Sequence, residues 1–329
     1  MEDFKLLFEK FSKLKVGIIG DVMLDTYVWG SVERISPEAP VPIVALQKKN
    51  YRIGGAGNVA LNIQSLGAEA FILSVTGEDE EADRLNELFE ASRISSKYII
   101  QSKERVTTNK TRVISRNQHM MRLDAEITDD LNNEEQENLL KQFESFIDTE
   151  KPDIVILEDY NKGILTQAVI QSVISICRKA GVLTAVDPKR RNFFEYKHVD
   201  LFKPNLKEIK EALNIIHADA ELNTLQTMHL ELQHILHHAI SFITLSEKGV
   251  FYNSKETSAI IPSHLRNIAD VSGAGDTVIA VASLVFTATQ NVHLMAEIAN
   301  IAGGLVCEEV GTVAIDRQKL LHECELLLS

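Results

Sequence analysis

Eight consecutive residues, Asp270-Val271-Ser272-Gly273-Ala274-Gly275-Asp276-Thr277, combine small side chains with a carboxylate at the edge of an apolar run, Val278 to Phe286. Small residues at a helix start make an anion site. The first-turn amides point outward without intrahelical partners, the helix dipole adds partial positive charge, and glycine lets a phosphate come close. A carboxylate there repels a polyphosphate unless it has a task of its own. Asp276 is placed to take a proton from an attacking hydroxyl while the amides of Gly273, Ala274 and Gly275 stabilise the transferring phosphoryl group. That pairing is phosphotransfer chemistry. A glycine-eased turn with Asp276 as a dipole-favoured helix-start residue would use the same residues and stays open on this octet alone.

Other polar groups stand where an α/β sheet would bring them together. Asp21 and Asp25 follow the apolar run Val16 to Gly20, just beyond a strand end, where ligands bind in open sheets; capping would use them equally well. Gly54, Gly55 and Asn58 open a helix expected over Val59 to Leu66, fitting close approach to a polyhydroxy substrate or tight helix packing. Within this segment Gly55 to Ala60 matches the dinucleotide fingerprint, which needs a strand immediately before it. Tyr51-Arg52-Ile53 reads as a poor strand, so a nicotinamide-dependent dehydrogenase is the weaker reading. From Thr107 to Asp124 the pattern turns to period two, with a reversal near Asn117-Gln118. Lys110, Arg112 and Arg116 share parity there, and a strand would project all three from one face. This cationic row suggests a second phosphate, or else a solvated edge strand. His229, His234, His237 and His238 lack a metal-ligand pattern and read as a polar helix face.

The elements that must hold these groups alternate. Apolar runs at Phe71–Val75, Ile154–Leu157, Val182–Val186 and Ser241–Leu245 read as strands, and Val250–Tyr252 with Ala259–Ile261 as a hairpin. Between them lie helices over Glu80–Ser92, around Leu139 to Ile147, and from an N-cap at Thr166 to a stop at Gly181. Arg34 to Pro42 holds three prolines and is expected to be irregular. The pattern predicts an α/β fold, a doubly wound, mostly parallel sheet with helices on both faces, in a single domain over 1–329. A net charge of −13 argues against nucleic acid and anionic membranes as partners. Three cysteines without a CxxC pair fit a reducing compartment, and no run is long enough to span a bilayer, so a cytoplasmic protein is expected.

Gly54 to Gly67 and Asp270 to Thr277 resemble, in order and spacing, the two signature regions of the ribokinase-like (PfkB) carbohydrate kinases, and Asn205-Leu206-Lys207-Glu208 is similar to their NxxE motif. Gly20 to Asp25, Arg34 to Pro42, Ser115 to Gln118 and Arg122 to Asp124 look more narrowly like the branch that phosphorylates D-glycero-β-D-manno-heptose 7-phosphate at its 1-hydroxyl in lipopolysaccharide synthesis. The likeness runs from about Leu14 to Asp316. It implies Asp276 as base, the Gly273–Gly275 amides as anion hole, and Asp21, Asp25, Gly54, Gly55 and Asn58 on the sugar. Lys110, Arg112 and Arg116 become candidates for the 7-phosphate. Asp159, Lys162 and Asp187 would complete the pocket. ATP would meet Lys189, Asn205, Glu208, Thr244, Ser246 and Gly249, with Mg²⁺ near Asn205 and Glu208 through water; a monovalent cation is also compatible. A β-sheet lid is expected from about 22–50 and 107–124, with a homodimer formed through it. Ser272 replaces the usual Thr, and Glu158 stands where Ser is common. No HxGH motif occurs up to Ser329, so adenylyltransferase activity is expected to be absent.

Overall fold

Runs such as Ile154–Leu157 can be buried on both faces, which is what a central parallel strand requires. The computed structural model describes residues 3–116, 118–216, 219–255 and 257–328. In chain order it comprises α1 (Phe4–Phe11), β1 (Lys15–Gly20), β2 (Val22–Ile35), β3 (Pro42–Gly55), α2 (Ala56–Ser65), β4 (Glu69–Gly77), α3 (Glu80–Ala91), β5 (Ser95–Ser102), β6 (Asn109–Ser115) and β7 (Gln118–Ala125). There follow α4 (Asn133–Glu150), β8 (Ile154–Glu158), α5 (Gln167–Ala180), β9 (Leu183–Asp187), β10 (Leu201–Phe202), α6 (Leu206–Ala212), α7 (Leu222–Leu236) and β11 (Ile240–Thr244). The chain finishes with β12 (Val250–Asn253), β13 (Ser258–Ile261), α8 (Ala274–Thr289), α9 (Val292–Val306) and α10 (Arg317–Leu327).

The main sheet has nine strands in the order β13-β12-β11-β10-β9-β8-β1-β4-β5. All pair in parallel except at one edge, where β12 runs antiparallel to both β11 and β13. Alternate side chains build a core on each face. Ile18, Ile154 and Ile156 join the core with α1, α2, α8 and α9, while Ile19, Val155 and Leu157 join the one with α4, α5 and α7. This is the doubly wound α/β arrangement expected. β1 lies between β8 and β4, so the strand order reverses there, and the crevice at such a reversal is where open sheets bind ligands.

A second sheet, in the order β3-β2-β6-β7, stands apart from the first. β2 and β6 run parallel, and the other pairs antiparallel. Three local readings change. Tyr51-Arg52-Ile53 is strand, the last part of β3, paired with Leu24 to Thr26. A strand therefore does precede Gly55, but it is antiparallel and in the small sheet, so no βαβ dinucleotide unit forms. Arg116 lies beyond β6 with φ +50°, and a register shift falls between Val113 and Ile114, so the cationic row is Lys110 and Arg112 alone. The reversal expected at Asn117-Gln118 begins at a residue outside those described; Gln118 opens β7. His229 and His238 are not on a polar face: both are buried and meet the Ser241 hydroxyl at 2.8 and 2.6 Å. Burial pushes His238 down to about 3, so it is neutral.

Candidate active site

Gly273, with φ +79°, starts α8, and a Cβ there would stand 2.8 Å from Asn58 Nδ2. Only glycine lets the starts of α2 and α8 meet this closely. The two helices are also joined by Asn62, whose Oδ1 accepts from Thr277 Oγ1 at 3.0 Å and from the Ile315 amide at 3.0 Å. Ala274 donates its N–H to Val271 O at 3.3 Å, which removes it from the expected anion hole. The Gly273, Gly275 and Asp276 amides make no protein hydrogen bond among the described residues.

Asp276 does not stand open at the helix mouth. It is 3% exposed, and its two oxygens accept from Asn58 Nδ2 and from the Tyr160 hydroxyl, each at 2.7 Å. Burial pushes its carboxyl up to about 6, against those two hydrogen bonds, which favour the ionised form. A carboxylate of that strength is matched to proton abstraction near neutral pH.

The carboxyl ends of β1, β8 and β9 supply the next layer. Asp21 is 1% exposed and accepts the backbone N–H groups of Tyr160, Lys162 and Ile164 at 2.7, 3.0 and 3.3 Å. Its carboxylate holds the loop after β8, and this departs from the expectation of a sugar contact. Asp159 accepts the Tyr196 hydroxyl at 2.7 Å and the Asn161 amide at 2.7 Å. Asp187 is bracketed by Lys189 at 3.1 Å and Lys203 at 2.7 Å. Burial alone would raise the Asp187 carboxyl; the two ammonium groups outweigh it and hold it low. Lys189 also pairs with Glu208 at 2.9 Å. A Cβ on Gly275 would lie 3.6 Å from Asp187 and 3.8 Å from Lys203, so both stand beside the start of α8.

Asn205 and Glu208 serve each other. Asn205 caps α6 by accepting the Glu208 amide, and Glu208 Oε2 accepts the Asn205 amide, both at 2.8 Å. Asn205 also bridges Thr244 at the end of β11, and Ser246 (φ +56°) and Gly249 (φ +95°) follow around the short turn Ser246–Lys248. The residues expected around ATP thus share one edge.

On the small sheet, Asp25 is 4% exposed and pairs with Arg112 at 2.6 Å, with Thr312 Oγ1 at 3.3 Å. Gly54 lies against it, since a Cβ there would meet Asp25 Oδ2 at 2.6 Å. Lys110 stands 5.2 Å over the Tyr160 ring, and Lys189 stands 5.5 Å from the same ring. Lys162 points to Glu126 at 2.7 Å, and Arg116 is exposed at the turn, so neither joins this group. Arg52 crosses to the main body, donating to Val310 O and Thr312 O at 3.0 Å each, while Gly311 N–H donates to Asp270 at 2.9 Å.

A hard divalent cation takes oxygen ligands. The side-chain oxygens of Asn205 and Glu208 already hold the cap and Lys189. Glu158, Asp187 and Asp276 place carboxylate oxygens within 4.8 Å of one another, all buried. Sequence reasoning missed Tyr160 and Lys203 as site residues. Lys203 had a signal, a lysine ending a buried strand; Tyr160 had only its place in the cluster after β8.

Residues 13–319 match the pfkB family carbohydrate kinase profile. The chain belongs to the pfkB family of carbohydrate kinases. It is therefore a sugar kinase, a phosphotransferase class that uses ATP, and the dehydrogenase reading is overturned. Among its relatives, "Bifunctional protein HldE" of Helicobacter acinonychis (strain Sheeba) is 37% identical over 96% of this chain and 66% of the relative. "Bifunctional protein HldE" of Aliarcobacter butzleri is 38% identical over 91% and 62%. The chain thus spans roughly two thirds of the length of these pfkB relatives (66% and 62%). Escherichia coli phosphofructokinase-2 in complex with potassium superposes with a TM-score of 0.78 at 18% identity, covering 95% of this chain and 99% of that one. Arabidopsis thaliana ribokinase complexed with ribose and ATP gives 0.72 at 15%, covering 94% and 98%. These two establish the ribokinase-like fold of this pfkB member.

Proposed function

We propose that this kinase transfers the γ-phosphoryl group of ATP to the anomeric 1-hydroxyl of D-glycero-β-D-manno-heptose 7-phosphate, giving heptose 1,7-bisphosphate for lipopolysaccharide core synthesis. One observation carries the chemistry: Asp276, ionisable near neutrality, stands beside first-turn amides that have no protein acceptor. Asp276 takes the hydroxyl proton, and the Gly273, Gly275 and Asp276 amides, with Lys203 beside them, stabilise the charge on the transferring group. Asn205, Glu208, Lys189, Thr244, Ser246 and Gly249 bound the nucleotide side. Asp25, Asn58 and Gly54 face the sugar, and Lys110 with Arg112 receives its phosphate.

The heptose assignment is supported by the Gly20–Asp25 and Arg34–Pro42 segments and by the HldE relatives. The small sheet acts as the lid, excluding water from the donor. Ile35, Leu46, Met121 and Leu123, exposed on that sheet by 59, 63, 53 and 57%, support a homodimer formed through it. Three buried cysteines without a disulfide support a cytoplasmic location. ADP release measured with D-glycero-D-manno-heptose 7-phosphate, fructose 6-phosphate and ribose tests the reading. The heptose phosphate is expected to give the highest kcat/KM; turnover of either other sugar at equal or greater efficiency refutes the assignment.

A further inference from the structure

Glu158 ends β8 in the middle of the main sheet, and its side chain is fully buried. Neither carboxylate oxygen has a hydrogen-bond partner among the described residues. Native proteins rarely leave such a group unsatisfied, and an ion is one of the few things that satisfies it. The oxygens aim at Asp187 and Asp276, and the three carboxylates lie within 4.8 Å of one another.

Glu158, Asp187 and Asp276 stand beside the ammonium groups of Lys189 and Lys203, which are engaged by Asp187 and Glu208. Burial, with Asp187 and Asp276 beside it, pushes the Glu158 carboxyl well above its ordinary range, so a cation there would take the place of a proton. The span suits a cation as well. Oxygens on opposite sides of an ion bound at about 2.4 Å lie ~4.8 Å apart, and closing to magnesium or manganese distances needs roughly half an ångström of side-chain movement. In the NxxE motif Asn205 and Glu208 hold each other's backbone and Glu208 holds Lys189, and the Asp187 and Asp276 oxygens also have protein partners; among the described residues it is the Glu158 oxygens that have none.

We propose that Glu158, with Asp187 and Asp276, forms a divalent-cation site that is filled without nucleotide and is separate from the NxxE residues. Glu158 is the residue that makes it. With a serine there, as the family resemblance leads one to expect, the carboxylate that lacks any partner would be gone, and with it the reason for a cation. The inference rests on the kinase reading only for the proximity of this ion to the transferred phosphate; binding itself does not depend on which sugar is used.

The test is Mn²⁺ titration of the whole chain without nucleotide, read by electron paramagnetic resonance, with Mg²⁺ as competitor. Wild type is expected to bind one Mn²⁺ per chain. Glu158→Gln should weaken it by at least ~10-fold, the low end of what even an outer-shell change costs a metal site. Glu208→Gln should leave it within about twofold, since Glu208 is outside the donor set. Glu158→Ser is the second variant, and thermal melting with and without Mn²⁺ reports both folding and the loss of the metal-induced shift. Absence of nucleotide-free Mn²⁺ binding in wild type overturns the proposal. So does retention of it in a folded Glu158 variant, the result expected if water or a proton satisfies Glu158. ADP release assayed on the same preparations separates the two readings. Transfer without a Mn²⁺ site removes this inference and spares the kinase chemistry, whereas a Mn²⁺ site without transfer does the reverse.

Discussion

At the carboxyl ends of β1, β8 and β9, Asp21, Asp159 and Asp187 are at most 4% exposed, and each has at least two fixed partners. On the small sheet, every residue of β7 is exposed, and the buried polar contacts gather on β2 and β6, with Asp25–Arg112 at 2.6 Å and Thr26–Asn109 at 2.8 Å among them. The first region is a preorganised set of charges whose geometry costs nothing to assemble when the donor arrives. The second leaves a whole strand open to solvent, which suits the proposed role of admitting and releasing a sugar. On the proposed function, catalytic placement and substrate choice fall to different sheets, and substitutions should separate them.

Asp276→Asn should break the first region's chemistry most severely, lowering kcat by ~10²–10⁴-fold or more while leaving the fold intact. ADP release together with circular dichroism checks this, and near-wild-type turnover would remove the proposed base. Lys203→Ala should act on stability as well. Its side chain is 3% exposed against Asp187, so truncation leaves a buried carboxylate short of a partner, at a cost of about 3–5 kcal/mol measured by urea unfolding. Arg112→Ala sharpens the contrast from the other sheet. A roughly tenfold rise in sugar KM is expected with ATP KM little changed, because its ion pair lies on the sugar side.

Smaller effects follow from pH and from the exposed face. Asp276 must be ionised to act, so activity should fall as pH drops through about 6. The stability sign is opposite. A carboxyl raised in the folded state holds its proton more tightly there than in the unfolded chain, so its contribution declines as pH rises from the ordinary aspartate range to about 6. Tyr160→Phe removes a hydrogen bond that favours the ionised form and should move the acid limb of kcat/KM up by about half a unit, read from a pH–rate profile. Leu123→Ser should change unfolding free energy by less than ~0.5 kcal/mol, yet weaken the dimer in sedimentation if the small sheet is the interface.

The legible parts of the chain were those whose signal is local. Ile154–Leu157 and Ser241–Leu245 are apolar runs that become central strands, and Thr166 and Gly181 cap α5 at both ends as their types suggest. The small sheet was harder to read, because half-exposed arms such as Tyr51–Ile53 carry mixed side chains and no strong period. α1 was missed among charges, although Phe4, Leu7, Phe8 and Phe11 form its buried stripe. Asp21 shows why the site was only half visible. Its partners are the backbone amides of residues 160–164, more than a hundred positions away, and no spacing rule reports them. The asparagine–glutamate pair at 205 and 208 was visible as a motif, while its use as a reciprocal helix cap depends on geometry.

Arg52 belongs to the last part of β3, yet its guanidinium is anchored to two carbonyls flanking Gly311, whose amide in turn steadies Asp270 at the entrance to α8. On the proposed function, the arm that covers one substrate is thereby tethered to the backbone that cradles the other. A swing of β3 would then disturb that backbone or surrender both tethers, so such a lid has no purely local way to open its sugar side.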